Sequence, residues 1–291
     1  MLFLALMQKL LINFLLVFFS LCAVGQPGTE VFLFEIKQGK NKLELSKPVN
    51  VSNNQGYDNQ PSFTSNGDLL YTSWRNGNTD LVKYHIKTGD KTYLTQTAAG
   101  QYSPTEMPGG DFLSTITLEN SGRQLLWKYG MDGSLEGEEL IPYLKIGYHT
   151  WLNSDTLFAF VLGPHPTLQI IDLNSKRAEI ITEDIGRSLH IIPGTTYLSY
   201  VKKNESEWLI TQYDVKSDSS VALTTTQKGV EDMCWYDSST LLMGKEDVLY
   251  SWSESKGWEQ IANLSLWKLS GITRLAVSPD RKYVAVVVNE P

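Results

Sequence analysis

Residues 275–291 read LAVSPDRKYVAVVVNEP, and this stretch decides the fold. It contains an apolar strand, a Ser-Pro-Asp turn and a second strand rich in valine, after which the sequence stops. Two strands alone cannot bury their faces, so this pair needs strands from elsewhere in the chain. The pattern therefore predicts that residues near the beginning of the sequence complete the sheet.

The same strand–turn–strand pattern occurs six times at nearly even spacing. Equivalent apolar residues of successive copies are separated by 43, 44, 41, 43 and 43 positions. These residues are Leu70, Leu113, Leu157, Leu198, Leu241 and Val284. Further strand segments follow the copies, and four antiparallel strands form one blade of a β-propeller. We therefore predict an all-β, six-bladed β-propeller; a two-sheet sandwich does not explain such a period.

The two ends of the sequence supply complementary halves of one blade. The last copy has only a first and a second strand, whereas residues 30–36 and 42–52 read as a third and a fourth strand. Pairing of residues 30–52 with residues 272–288 completes a sixth blade and closes the ring. Because each blade buries its faces only against its neighbours, closure stabilises the whole domain, which we place at residues 26–291.

The first 25 residues resemble an export signal. Lys9 precedes an apolar segment, and Ala23-Val24-Gly25 has the small residues of a cleavage site. The apolar segment covers about 13 residues, fewer than the ~20 that a transmembrane helix needs, so cleavage is favoured over a retained anchor. We expect a periplasmic or secreted protein with no membrane span after cleavage. The net charge of −7 argues against nucleic acid as a partner.

Two of the six copies carry a recognisable blade motif. The stretch FTSNGDLLYTSWRNGNTDL begins at Phe63 and includes the turn Asn66-Gly67 and the segment Trp74-Arg75-Asn76-Gly77, and the last copy contains Ser278-Pro279-Asp280. These stretches resemble the WD40-like PD40 repeats of TolB-type propellers, whereas the four copies between them match weakly. The resemblance implies a six-bladed propeller, a fold that hosts binding platforms as well as enzymes, so it implies no single activity.

The loops that lead into the innermost strands are expected to meet at one mouth of the central channel. Each loop brings a polar or ionisable side chain, and two histidines fall in adjacent blades. The predicted ligand-binding residues at this mouth are Asp58, Gln60, Glu106, Tyr148, His149, His190, Asp232 and Arg274. Arg274 is expected to face a carboxylate of a small ligand or a peptide end. A solvated channel mouth without a ligand is the alternative.

The sequence contains none of the familiar catalytic signatures. Gly-x-Ser-x-Gly, a phosphate-binding loop, His-Glu-x-x-His and Cys-x-x-Cys are absent. We therefore expect a non-catalytic platform that binds an envelope or secreted protein, a peptide or a small ligand, without a cofactor. The alternative is a metal-dependent lyase or hydrolase acting on a sugar or peptide, with His149 and His190 as ligands of a divalent metal. The resemblance supports this alternative, because some lyases of TolB-like architecture hold a metal with histidines at such a mouth.

Overall fold

The computed structural model describes residues 27–39, 43–133 and 136–291. Within these ranges the chain consists almost entirely of strands and turns, and the strands form six sheets arranged as the blades of a propeller. The predicted export signal at residues 1–25 lies outside the described residues. No helix in the described part of the chain is long and apolar enough to cross a membrane.

In the described residues, twenty-five strands build the six blades. The N-terminal strands are β1 (Thr29–Gln38), β2 (Leu43–Leu45) and β3 (Val49–Asn50). Blade 1 contains β4 (Asp58–Phe63), β5 (Leu69–Arg75), β6 (Asn78–Tyr84) and β7 (Lys91–Tyr93). Blade 2 contains β8 (Gly100–Glu106), β9 (Phe112–Leu118), β10 (Gln124–Gly130) and β11 (Glu138–Ile141). Blade 3 contains β12 (Ile146–Trp151), β13 (Thr156–Val161), β14 (Thr167–Asp172) and β15 (Arg177–Glu183).

The remaining blades follow in the same way. Blade 4 contains β16 (Ile185–Ile191), β17 (Leu198–Lys203), β18 (Trp208–Asp214) and β19 (Ser219–Thr225). Blade 5 contains β20 (Met233–Trp235), β21 (Leu241–Lys245), β22 (Val248–Ser253) and β23 (Gly257–Asn263), followed by a 3₁₀ turn at Leu264–Trp267. Blade 6 begins with β24 (Arg274–Val277) and β25 (Tyr283–Asn289). In blades 1–5 the strands pair in chain order, so each blade is an antiparallel meander.

Blade 6 joins the two ends of the described chain. Strand β1 lies antiparallel beside β25, with Phe32 opposite Val286, and β2 and β3 both pair with the other edge of β1. The predicted closure is therefore confirmed. The predicted fourth strand at residues 42–52 is instead two short pieces. Ser46 still bonds to Glu35 of β1, but the ladder is interrupted before Val49, and Pro48 has no N–H to donate to it.

Apolar clusters fill the spaces between consecutive blades. Each of the six clusters draws its buried side chains from two neighbouring blades. In β25, successive residues pack against different blades: Val286 packs against blade 5, and Val287 packs against blade 1. The six residues aligned by the sequence repeat all lie in the second strand of their blade, and each is fully buried. The period in the sequence is therefore the period of interblade packing.

A tryptophan–serine contact recurs at two interblade positions. The indole Nε1 of Trp151 donates to Ser114 Oγ across the boundary of blades 2 and 3, at 2.8 Å. Trp235 Nε1 donates to Ser199 Oγ across the boundary of blades 4 and 5, also at 2.8 Å. Both tryptophans are buried, so each indole N–H gains a partner in the interior.

Candidate ligand-binding site in the central channel

The innermost strands of all six blades line a cavity of about 180 Å³ at the centre of the ring. Every blade contributes to its wall, although these strands are widely separated in the sequence. Six of the eight predicted site residues line the cavity, namely Gln60, Tyr148, His149, His190, Asp232 and Arg274. The structure therefore places most of the predicted residues together, as the ring geometry requires.

β-Bulges in the innermost strands shape the wall of this cavity. The pairing register of blade 1 shifts between Asn59 and Ser62, and blades 2, 3 and 4 have register shifts in their own innermost strands. Gln60 and Ser103, within the first two bulges, have φ angles of 56° and 53°. A bulge adds one residue, bends the strand and re-aims the side chains beside it. These non-glycine residues with left-handed backbone conformation thus mark the channel wall.

Gln60 connects two of the bulges. Its Oε1 accepts hydrogen bonds from the backbone N–H of Ser103 at 2.9 Å and from Thr72 Oγ1 at 3.2 Å. Ser103 lies in blade 2, so this amide ties the inner edges of blades 1 and 2 together. Gln60 therefore has a structural role in the wall as well as a place on its surface.

Two arginines share one carboxylate at the cavity. Arg187 makes a bidentate contact with Asp232, with Nε 3.1 Å from Oδ1 and Nη2 2.7 Å from Oδ2. Arg274 Nη1 donates to the same Oδ2, also at 2.7 Å. We call Arg187, Asp232 and Arg274 the Arg–Asp–Arg triad. Because one carboxylate neutralises only one guanidinium, the triad carries a net charge of +1, which favours a further anion.

The neighbouring acidic residue does not cancel this charge. Glu231 binds Lys203 Nζ through Oε2 at 2.7 Å and also lies 3.5 Å from Arg187 Nε. Because Lys203 adds one positive charge for the negative charge of Glu231, the whole group keeps a net charge of +1. Burial acts to raise the pKa of Glu231, but the hydrogen bond from Lys203 and the charge of Arg187 outweigh it, and the pKa is lowered. Burial likewise acts to lower the pKa of Arg187, yet the hydrogen bond and charge of Asp232 raise it. Both groups are charged at neutral pH.

Tyr148 lines the cavity, and Tyr57 and Tyr102 lie behind its wall. The hydroxyl of Tyr148 accepts a hydrogen bond from Arg274 Nη2 at 3.1 Å, and the Arg274 guanidinium carbon lies 5.6 Å from the Tyr148 ring centroid. Tyr57 packs edge-to-face against Tyr102 at 6.3 Å, and its pKa is raised by burial and by the nearby Tyr148. The ring and hydroxyl of Tyr148 therefore help to hold Arg274, which lines the cavity.

The two predicted histidines are neutral wall residues. Nε2 of His149 lies 2.6 Å from Ser114 Oγ, and Nε2 of His190 lies 3.0 Å from Ser188 Oγ. Since Trp151 Nε1 donates to Ser114 Oγ, the serine hydroxyl can donate to unprotonated His149. Burial lowers the pKa of His149 to about 3 and that of His190 to about 4. Neither histidine adds charge to the cavity at neutral pH.

Asp58 and Glu106 do not line the cavity. Both carboxylate oxygens of Glu106 are engaged by Ser65 in blade 1, through its backbone N–H at 2.6 Å and its hydroxyl at 3.1 Å. Asp58 is fully buried near the junction of blades 1 and 6, where Asn54 Nδ2 donates to it at 3.2 Å. Burial raises the pKa of Asp58 to about 6. Glu106 joins blades 1 and 2, Asp58 lies at the junction of blades 1 and 6, and neither residue lines the cavity.

Arg187 lines the cavity but was not among the predicted site residues, although it stands in a loop that was expected at the mouth. Arg187 precedes Leu198 by eleven residues, close to the ten-residue offset between Arg274 and Val284. The repeat therefore contained a signal for Arg187. Its pairing with Asp232 of the next blade has no counterpart in the linear sequence.

The residues on the cavity wall do not form a metal-binding set as they stand. In the described ranges, no three His, Cys, Asp or Glu side chains are grouped as a metal site needs. His149 and His190 offer two imidazoles, and each Nε2 faces a serine hydroxyl. Asp232 also lines the cavity, but its oxygens are engaged by arginines.

The blades and the polar central cavity define a six-bladed β-propeller with the TolB-type fold. The putative TolB of Agrobacterium tumefaciens is similar, with a TM-score of 0.68 and 13% identity over 92% of this chain and 100% of that chain. TolB of Acinetobacter baumannii has a TM-score of 0.58 and 12% identity over 90% of this chain. The present chain spans 64% of the length of that A. baumannii protein.

An enzyme has a similar fold. Oligogalacturonate lyase in complex with manganese has a TM-score of 0.57 and 13% identity, over 86% of this chain and 83% of that chain. At such identities the likeness shows the fold alone. No protein-family model and no curated protein matches the chain.

Proposed function

We propose that this protein is an exported, non-catalytic propeller that binds the carboxylate of a peptide, a protein or a small envelope ligand in its central channel. The observation that carries the proposal is the Arg–Asp–Arg triad on the cavity wall, whose net charge is +1. Guanidinium groups present planar pairs of donors that match a carboxylate. The neutral histidines and tyrosines around the triad supply hydrogen-bonding groups without a competing charge.

The size of the cavity favours the end of a larger ligand. Its volume of about 180 Å³ is below the ~300–1,000 Å³ typical of sites that enclose a whole drug-sized molecule. A carboxylate and a few neighbouring atoms fit, whereas the remainder of the ligand lies outside. This supports a peptide terminus, or a carboxylate presented by a protein, as the group bound.

We predict that acetyl-Ala-Phe with a free carboxylate binds about tenfold or more tightly than its C-terminal amide, since hydrogen bonds to charged groups contribute about 1.5–3 kcal/mol. Arg274→Gln should abolish this preference, because the remaining pair of Arg187 and Asp232 is neutral. Isothermal titration calorimetry at low salt measures both affinities. The matched control is Arg177→Gln, which removes an exposed arginine of β15. Equal affinities for acid and amide in the unmodified protein would contradict the proposal.

A metal-dependent lyase or hydrolase is the second candidate. It is favoured by the position of His149 and His190 on one cavity wall and by the fold shared with oligogalacturonate lyase, whose structure holds manganese. Such an enzyme needs a further ligand beyond these two imidazoles.

We predict that elemental analysis of the purified protein finds less than one divalent metal ion per chain. The reason is that the imidazoles face serine hydroxyls and the nearby carboxylate is engaged by arginines. The His149→Gln/His190→Gln double variant should have the same metal content, as should the exposed control His165→Gln. One Mn²⁺ per chain that is lost only in the double variant would favour the enzyme instead.

A further inference from the structure

A second cavity, of about 650 Å³, lies between blades 3 and 4 and shares Tyr148 and Arg187 with the central cavity. We call it the blade 3–4 groove. Part of its wall is apolar and consists of Phe160, Leu162 and Pro166. Tyr148 and Arg187 belong to both walls, so the two cavities adjoin at these residues.

The charged residues that line the groove have a net negative charge, opposite to the net positive charge of the triad. Lys203 and Glu231 form an ion pair at 2.7 Å, so they contribute no net charge. Asp184 and Glu205 also line the groove and make it negative. Asp184 contacts His165 Nδ1 at 2.9 Å, but the His165 side chain is 69% and the Asp184 side chain 48% exposed, so solvent weakens this pair. The channel wall is therefore positive at the triad, and the adjoining groove combines an apolar part with a net negative charge.

We infer that the ligand is a peptide C-terminus with an apolar last residue and one or two basic residues before it; this inference rests on the proposed function. The terminal carboxylate binds the Arg–Asp–Arg triad. The apolar side chain packs against Phe160, Leu162 and Pro166, and the basic side chains lie near Asp184 and Glu205. The groove's volume falls in the range that encloses a ligand of several residues, which the central cavity alone does not.

Four peptides test this order of groups by calorimetry at low salt: acetyl-Lys-Lys-Phe, acetyl-Glu-Glu-Phe, acetyl-Lys-Lys-Ser and the C-terminal amide of the first. We expect acetyl-Lys-Lys-Phe to bind tightest. Replacing phenylalanine by serine should weaken binding about tenfold through lost apolar burial. Replacing both lysines by glutamates should weaken it about fivefold or more through like-charge repulsion.

A charge reversal in the protein tests the proposed contacts between the basic residues of the peptide and the acidic residues of the groove. Glu205→Lys should remove or invert the preference for lysine over glutamate, because it changes the sign of one groove carboxylate. Glu207→Lys is the matched control, since Glu207 is exposed two residues further along and does not line the groove. It should leave the preference unchanged.

The outcomes separate the two proposals. If the amide binds as tightly as the acid, the carboxylate site itself is wrong, and the inference fails with it. If the acid is preferred but serine and glutamate peptides bind as well as acetyl-Lys-Lys-Phe, the channel site stands and the groove inference is overturned. A lysine preference that responds equally to Glu205→Lys and Glu207→Lys would also overturn it.

Discussion

Val286→Asp is expected to leave the protein unfolded at neutral pH. Val286 is fully buried in β25, opposite Phe32 of β1, and packs in the cluster between blades 5 and 6. An aspartate there loses the apolar contacts and has no cationic partner, which costs several kcal/mol, whereas a domain of this kind has only about 5–15 kcal/mol of stability. Circular dichroism and urea titration measure the effect.

The control for this experiment is Val221→Asp on the outer strand β19. Val221 is 60% exposed, so the change should alter the free energy of unfolding by only about 0.5 kcal/mol or less. Deleting residues 277–291 should have the same consequence as Val286→Asp, because it removes β25 from between β24 and β1. A Val286→Asp protein that unfolds cooperatively at the urea midpoint of the unmodified protein would show that blade 6 is not needed for stability.

The fold was predictable because the residues that repeat at even spacing are apolar. The six aligned positions are all fully buried in the second strand of a blade, so their spacing reports directly on packing. The closure was predictable for a related reason: an unfinished blade at each end leaves apolar strands that only each other can cover. Local departures, such as the break near Pro48, depend on single residues and were not anticipated.

The outer strands were the hardest to predict. Strand β11 contains Glu138 and Glu139, which are more typical of a solvated loop than of a strand. An outer strand pairs on one side only and faces solvent on the other, so its sequence is under weaker constraint than that of a central strand. The alternation of apolar and polar residues is correspondingly faint.

The candidate site was predictable in its location but not in its contacts. Chain connectivity alone brings the inner loops together, which is why Tyr148, His149 and Arg274 were found. Glu106 was assigned to the mouth, yet it binds Ser65. A bulge within β8 shifts the pairing register, and a shift of one residue moves side chains to the other face of a strand. Such bulges leave little trace in a single sequence.

Stability is expected to fall as the pH drops below about 6.5, because His149 is buried and His190 is half-buried, and both are neutral in the folded protein. Their pKa values are lowered by burial to about 3 and about 4 in the folded protein. Below the ordinary value of 6.5 the unfolded chain therefore binds protons that the folded protein does not. Between pH 7.5 and pH 5 each histidine should lower the free energy of unfolding by about 2 kcal/mol.

Asp58 acts in the opposite direction over the same range. Its pKa is raised by burial to about 6, above the ordinary 3.8, with further influence from Glu30 and Lys91. The destabilisation from its buried charge is complete above pH 6 and is relieved as the carboxyl group becomes protonated. By pH 5 this should restore about 1 kcal/mol, so these three groups together should lower the free energy of unfolding by about 3 kcal/mol.

Urea titrations at pH 7.5 and pH 5.0 can separate these contributions. In His149→Gln the glutamine Oε1 can still accept from Ser114, and the loss on acidification should be about 2 kcal/mol smaller than in the unmodified protein. In Asp58→Asn the loss should be about 1 kcal/mol larger, since the compensating protonation is gone. His165→Gln, at an exposed histidine, is the control. If His149→Gln instead loses as much stability between pH 7.5 and pH 5.0 as the unmodified protein, the imidazole is not held neutral in the folded protein. That result would contradict the description of an uncharged wall around the Arg–Asp–Arg triad.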